Sequence, residues 1–154
     1  MAFIGAETFR RPDALRRTAL HEAGHATAAL AFAIPIMSVS IDDADNPHLL
    51  RGRYQPPHDA GLESLVVLCL AGPAAEQLFC GSIEPGTDRT DIDMARRYLG
   101  DRLGPLQLAA EIERHRASAE RLVRTEWARR RITVIAEALL AHGTLSGEDI
   151  AALG

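Results

Sequence analysis

The stretch that most constrains this chain is His21-Glu22-Ala23-Gly24-His25. It lies inside Leu15–Ile34, a run rich in Ala and Leu with no Pro and a single Gly. Such a run is expected to be helical. On an α-helix, positions i and i+4 share a face and lie about 6 Å apart. His21 and His25 can therefore turn both imidazoles toward one metal ion. Glu22 is offset by about 100° around the axis. From there its carboxylate reaches a water beside such an ion without binding the ion itself. Two ligands and a general base in this spacing form the H-E-x-x-H arrangement of hydrolytic zinc sites.

With 6 His and 11 Glu in 154 residues, the pattern arises by chance roughly 0.02 times per chain of this composition. The plainer alternative is two helix histidines beside a surface glutamate. The neighbours Ala19, Leu20, Ala23, Gly24 and Ala26 are small or apolar and mark a buried turn. Imidazoles on a buried turn need partners.

Three ligands and a water are usual for a catalytic zinc. The other histidines are weak candidates for the third. His48 and His58 fall in turn-rich segments, and His115 and His142 lie among charges or at a helix end, where solvated side chains are expected. Carboxylates fit better: Glu76, Asp88, Asp91 and Asp93. Asp93 is followed at i+3 and i+4 by Arg96 and Arg97, the pattern of a solvated ion-pair face. Asp91 is followed at those spacings by Met94 and Ala95, so it is expected on the inward face. An unpaired carboxylate there is costly unless it binds something positive. Asp88 is explained by capping at the helix start. Asp91 is the expected third ligand. Glu76 sits on a mostly apolar helix and reads three ways: as a ligand, as an acceptor for a ligand histidine's second N–H, or as a carboxylate emerging at a helix end.

The rest of the chain reads as mainly α. Residues 1–11 are expected to form an N-terminal arm, and 12–154 a single domain of about four to five helices with a small β-hairpin beside the active-site helix. Pro12-Asp13 can start the first helix and Pro35 stops it. Ile36–Ile41 alternates apolar and polar, as a half-buried strand does, with Leu50–Tyr54 its expected hairpin partner. Leu65–Ala71 is apolar all round and is expected to be a central buried helix, kinked at Pro73. A third helix is expected from near Thr87 or Thr90 to Leu103. Leu106–His142 is long and charged, with a break expected near Arg116 and an end at Gly143. Thr144–Ile150 reads as a turn with Ser146 capping a last short helix.

Composition narrows the partners. Net charge is −4 and the isoelectric point about 5.8, which argues against a nucleic-acid partner. The basic cluster Arg129-Arg130-Arg131 lies between Glu126 and Glu137 and fits a solvated helix face. All 17 basic residues are Arg. A P-loop needs its Lys on the nucleotide phosphates, so any ATPase activity is expected on another chain. Cys69 and Cys80 stand about 16 Å apart along one helix, too far for a disulfide, and fit a reducing compartment. No membrane segment or signal peptide is expected, which makes the expected location cytoplasmic.

Taken in order, HEAGHATAAL, LAGPAAEQLFCG, TDRTDIDMARRYLGDRLGPL and ALLAHGTLSGEDI resemble the peptidase domain of the FtsH-type AAA+ zinc metalloproteases. The resemblance spans about Leu15 to Leu153. It implies zinc held by His21, His25 and Asp91, with Glu22 as the catalytic base. The family's Glu after A-G-x-A-A falls on Glu76. It also implies a polypeptide substrate laid along the strand beside the site, a hexameric ring, and an ATPase that feeds unfolded chains. The membrane anchor and ATPase domain are missing from these 154 residues, so the ATPase is expected as a separate AAA+ chain. The rival expectation is a catalytically silent zinc-binding interaction or regulatory module derived from such a peptidase.

Overall fold

A computed structural model describes the backbone of residues 4–42, 58–100 and 103–153. Side chains are described for 14–42, 61–100 and 103–153. The elements are α1 (Ile4–Ala31), β1 (Ser38–Ser40), α2 (His58–Cys80), α3 (Arg89–Leu99), α4 (Pro105–Arg124), α5 (Glu126–His142), β2 (Thr144–Ser146) and α6 (Gly147–Ala152). Among the described residues the fold is mainly helical with one small antiparallel sheet, in keeping with the mainly α fold that the sequence predicts.

The hub is α2, which packs on α1, α3 and α4, while α1 also packs on α5. Its stretch Leu65–Ala71 is buried at every position. That matches a sequence apolar all round, with no face to give to water. The segment Gly61–Cys80 is long and apolar enough to cross a membrane by composition, with mean hydropathy 1.4. Two-thirds of it (67%) is buried inside the protein, against the other helices. The helix runs on through Pro73 to Cys80. Cys69 is buried, Cys80 half-buried, and both are free thiols.

Small residues set the distance between α1 and α2. A Cβ added at Gly24 would lie 2.5 Å from the Ala71 carbonyl oxygen and 2.6 Å from the Ala75 Cβ. The two helices therefore touch backbone to backbone at the turn that carries His21 and His25. A bulkier residue at 24 would force the helices apart.

Several boundaries differ from the sequence reading. Helix α1 begins at Ile4, inside the expected arm, and stops at Ala31 rather than at Pro35. β1 pairs with β2, in the register Ser38–Ser146, Val39–Leu145 and Ser40–Thr144. The expected partner Leu50–Tyr54 lies outside the described residues. Thr144–Ser146, read as a turn, is thus a strand, and its Leu145 is buried beside Val39. A three-residue strand is too short to show a period in sequence. The break in the charged region falls at Thr125, not Arg116. Thr125 Oγ1 accepts from the Ala128 N–H at 3.2 Å and so starts α5. Helix α3 ends at Leu99, capped by Gly100 at φ 79°, a conformation that favours glycine. Ser146 caps α6 as expected, accepting from the Asp149 N–H at 3.0 Å.

Candidate metal centre

The site forms where α1, α2 and the first turn of α3 meet. His21 and His25, one turn apart on α1, set their ring centroids 4.9 Å apart. Asp91 enters from the first turn of α3. Its Oδ2 lies 2.8 Å from His21 Nε2 and its Oδ1 3.2 Å from His25 Nε2. One ligand atom from each of the three lies within 4.8 Å of the others. The sequence argument that faced Asp91 inward is borne out: its side chain is 12% exposed, whereas that of Asp93 is 53% exposed. Asp88 takes the N-cap position of α3 but makes no side-chain capping bond, which corrects the capping expectation.

Both imidazoles are oriented through their second nitrogen. His21 Nδ1–H donates to Glu76 Oε2 at 3.0 Å, and His25 Nδ1–H donates to the Leu68 carbonyl at 2.8 Å. Such bonds fix the tautomer and direct each Nε2 toward a common point. Glu76 is 1% exposed. Of the three readings left open for it, the structure supports the acceptor for a ligand histidine's N–H.

The donor set suits a small divalent ion. Metal–nitrogen and metal–oxygen bonds near 2.1 Å in a tetrahedron put ligand atoms about 3.4 Å apart. The two Asp91–histidine separations, 2.8 and 3.2 Å, need only a small outward shift to reach that value. Gly72 leaves the space: a Cβ there would lie 2.3 Å from His25 Nε2 and 2.8 Å from His21 Nε2. Sequence reasoning passed over Gly72. Its signal, a lone glycine beside Pro73 in an apolar helix, reads as a helix breaker rather than as clearance for two rings.

Electrostatics hold the group together. Burial opposes charge on His21 most strongly, but the hydrogen bonds to Asp91 and Glu76 outweigh it and raise its pKa to about 10. Burial likewise works against His25, and the Asp91 charge overcomes it, so its pKa is raised. Burial also opposes ionisation of Asp91, yet His25 and His21 hold it well below the usual carboxylate range. Glu76 is pulled down to about 2, against burial, by His21, the Glu84 N–H and Arg17.

These shifts predict a pH dependence for the metal-free protein. A histidine whose pKa rises from 6.5 to about 10 on folding stabilises the fold fully below pH 6.5. That contribution is lost as the pH rises toward 10. Thermal unfolding of chelator-treated protein is therefore expected at lower temperature at pH 8.5 than at pH 6.5. The loss is on the order of 1 kcal/mol per pH unit. A metal-saturated sample should lose less, because its imidazoles are already neutral ligands. An unfolding temperature that stays level in the chelated sample would refute the charged cluster.

A cleft of about 510 Å³ opens on the site, lined by His21, Glu22, His25, Asp91, Thr87 and Thr90 among others. Glu22 thus shares the cleft with all three candidate ligands. Of the other histidines, the two whose side chains are described, His115 and His142, do not line it. His115, expected to be solvated, is 2% exposed. Its Nδ1–H donates to the Glu111 carbonyl at 2.7 Å, and its buried Nε2 has no partner among the described residues. His142 is exposed at the end of α5. His48 and the side chain of His58 lie outside the described residues.

The sequence matches no protein-family model and no curated protein. The class of the protein is accordingly set by fold and site: a mainly helical domain with a buried His21–His25–Asp91 group positioned to bind a metal ion.

Proposed function

We propose that the protein is a zinc-dependent endopeptidase of the FtsH peptidase type. It would cleave extended or unfolded polypeptides with a metal-activated water. The observation that carries this reading is the convergence of His21, His25 and Asp91 in one cleft that Glu22 also lines. Two imidazoles and a carboxylate with room for a fourth ligand make an open zinc site rather than a closed structural one. A bound zinc ion supplies Lewis acidity, polarising a carbonyl and acidifying water near neutral pH.

The chain's own residues do the rest. Glu22 takes the proton of the attacking water and returns it to the leaving amine as the peptide bond breaks. Glu76 and the Leu68 carbonyl keep the two rings aligned through that proton movement. Among the described residues β1 pairs only with β2. Its other edge is the proposed place for an extended substrate, added as a strand. Strand addition reads backbone more than side chains, so broad specificity is expected. Delivery of unfolded chains by a separate AAA+ ATPase, and a hexameric ring, extend the proposal from the sequence resemblance.

The test is digestion of casein by the purified protein. Cleavage is expected with about one zinc per chain, lost with a chelator and restored by added zinc. Stoichiometric zinc without cleavage of any unfolded substrate would overturn the enzymatic reading and leave a metal-bearing interaction module.

A further inference from the structure

We infer that Arg17 is a positioning residue for this centre, acting through Glu76 and through the loop that leads into α3. The inference rests on the metal-binding reading of His21, His25 and Asp91. Arg17 lies one turn before His21 on α1, on the same face. Its Nη1 donates to Glu76 Oε1 at 2.9 Å and to the Ser82 carbonyl at 2.9 Å, and its Nη2 to Ser82 Oγ at 3.3 Å. The Glu84 N–H donates to the same Glu76 Oε1 at 2.9 Å. The other oxygen of Glu76 accepts from His21 Nδ1–H at 3.0 Å and from Thr87 Oγ1 at 3.4 Å. One carboxylate therefore ties α1, α2 and the loop after α2 together.

The chemistry asks for arginine. A carboxylate 1% exposed needs a compensating charge. The guanidinium is charged at every working pH, and its planar fork can hold a carboxylate and a carbonyl at once. A lysine ammonium is a compact point charge that lacks this fork. By gripping Ser82 as well as Glu76, Arg17 fixes both the His21 ring and the loop from which Asp91 is presented. Its side chain is 25% exposed at the cleft wall, so it supports the site from the side.

The experiment compares wild type with Arg17→Met and Arg17→Lys, using cobalt(II) as the probe metal. Arg17→Met is expected to fold by circular dichroism but bind cobalt about 10–100-fold more weakly, with an altered ligand-field absorption spectrum. Backbone amide exchange around Glu84 is expected to be at least about tenfold faster in the metal-free variant. Arg17→Lys should recover part of the affinity. Wild-type cobalt affinity and spectrum in Arg17→Met would overturn the inference. If Arg17→Met does not fold, Arg17→Lys is read on the same scale, and wild-type behaviour in it overturns the need for the fork. If the wild type itself takes up no cobalt, the metal reading fails instead. Amide exchange then decides for Arg17: unchanged exchange at Glu84 overturns its role, and faster exchange upholds it as the anchor of the loop.

Discussion

Replacing Glu22 by Gln is expected to cut casein cleavage by about 10²–10⁴-fold while the metal stays bound. The change keeps the shape of the side chain and removes its ability to accept a proton. Glu22 is no part of the His21–His25–Asp91 group, so the ligand set is intact in the variant. A loss of that size corresponds to about 3–5 kcal/mol of barrier, which a neutral amide cannot supply. The measurement is a pair: metal content by elemental analysis and initial rate on casein. Unchanged cleavage would end the assignment of Glu22 as the base. Loss of metal together with activity would show that Glu22 supports the site rather than the proton transfer.

The second large effect is expected at Asp91. Asp91→Ala should lower the metal content from about one ion per chain to near none after dialysis, because three protein ligands become two. The affinity loss should exceed the 10–100-fold expected for removing an outer partner such as Glu76. The same substitution takes away the carboxylate that faces both Nε2 atoms, at 2.8 Å from His21 and 3.2 Å from His25. Burial, which opposes charge on both rings, then loses the Asp91 counterweight, while Glu76 still supports charge on His21. The metal-free variant should accordingly show a weaker dependence of stability on pH between 6.5 and 8.5 than the metal-free wild type. Full metal retention in Asp91→Ala would refute the proposed ligand set.

The ligand helix was legible because its evidence is local. The spacing of His21 and His25 fixes their common face wherever that helix is packed. Asp91 was legible for a similar reason, since Met94 and Ala95 one turn on mark the face that turns inward. Glu76 was legible only as a question. Whether a carboxylate near a helix end is solvated or buried depends on what lies across from it, and here that is His21 and Arg17. His115 misled for the same reason. Glu111 and Arg114 around it suggest water, while the ring itself turns into the interface of α4. The strand Thr144–Ser146 was missed because a three-residue strand is defined by its partner, and that partner is more than a hundred residues away.

By itself, then, the sequence determined the elements whose cause is short-range: the apolar run of α2, the i,i+4 histidine pair, the Ser146 cap and the inward face of α3. Only the tertiary structure decided what those elements meet. It joined β1 to β2, set Gly72 where a side chain would strike both imidazoles, and brought Arg17, Glu76 and Asp91 around His21. Periodicity and capping act within a turn or two of helix and leave their mark on neighbouring residues. Contacts between distant segments are set by how whole faces pack, and no local pattern carries that information.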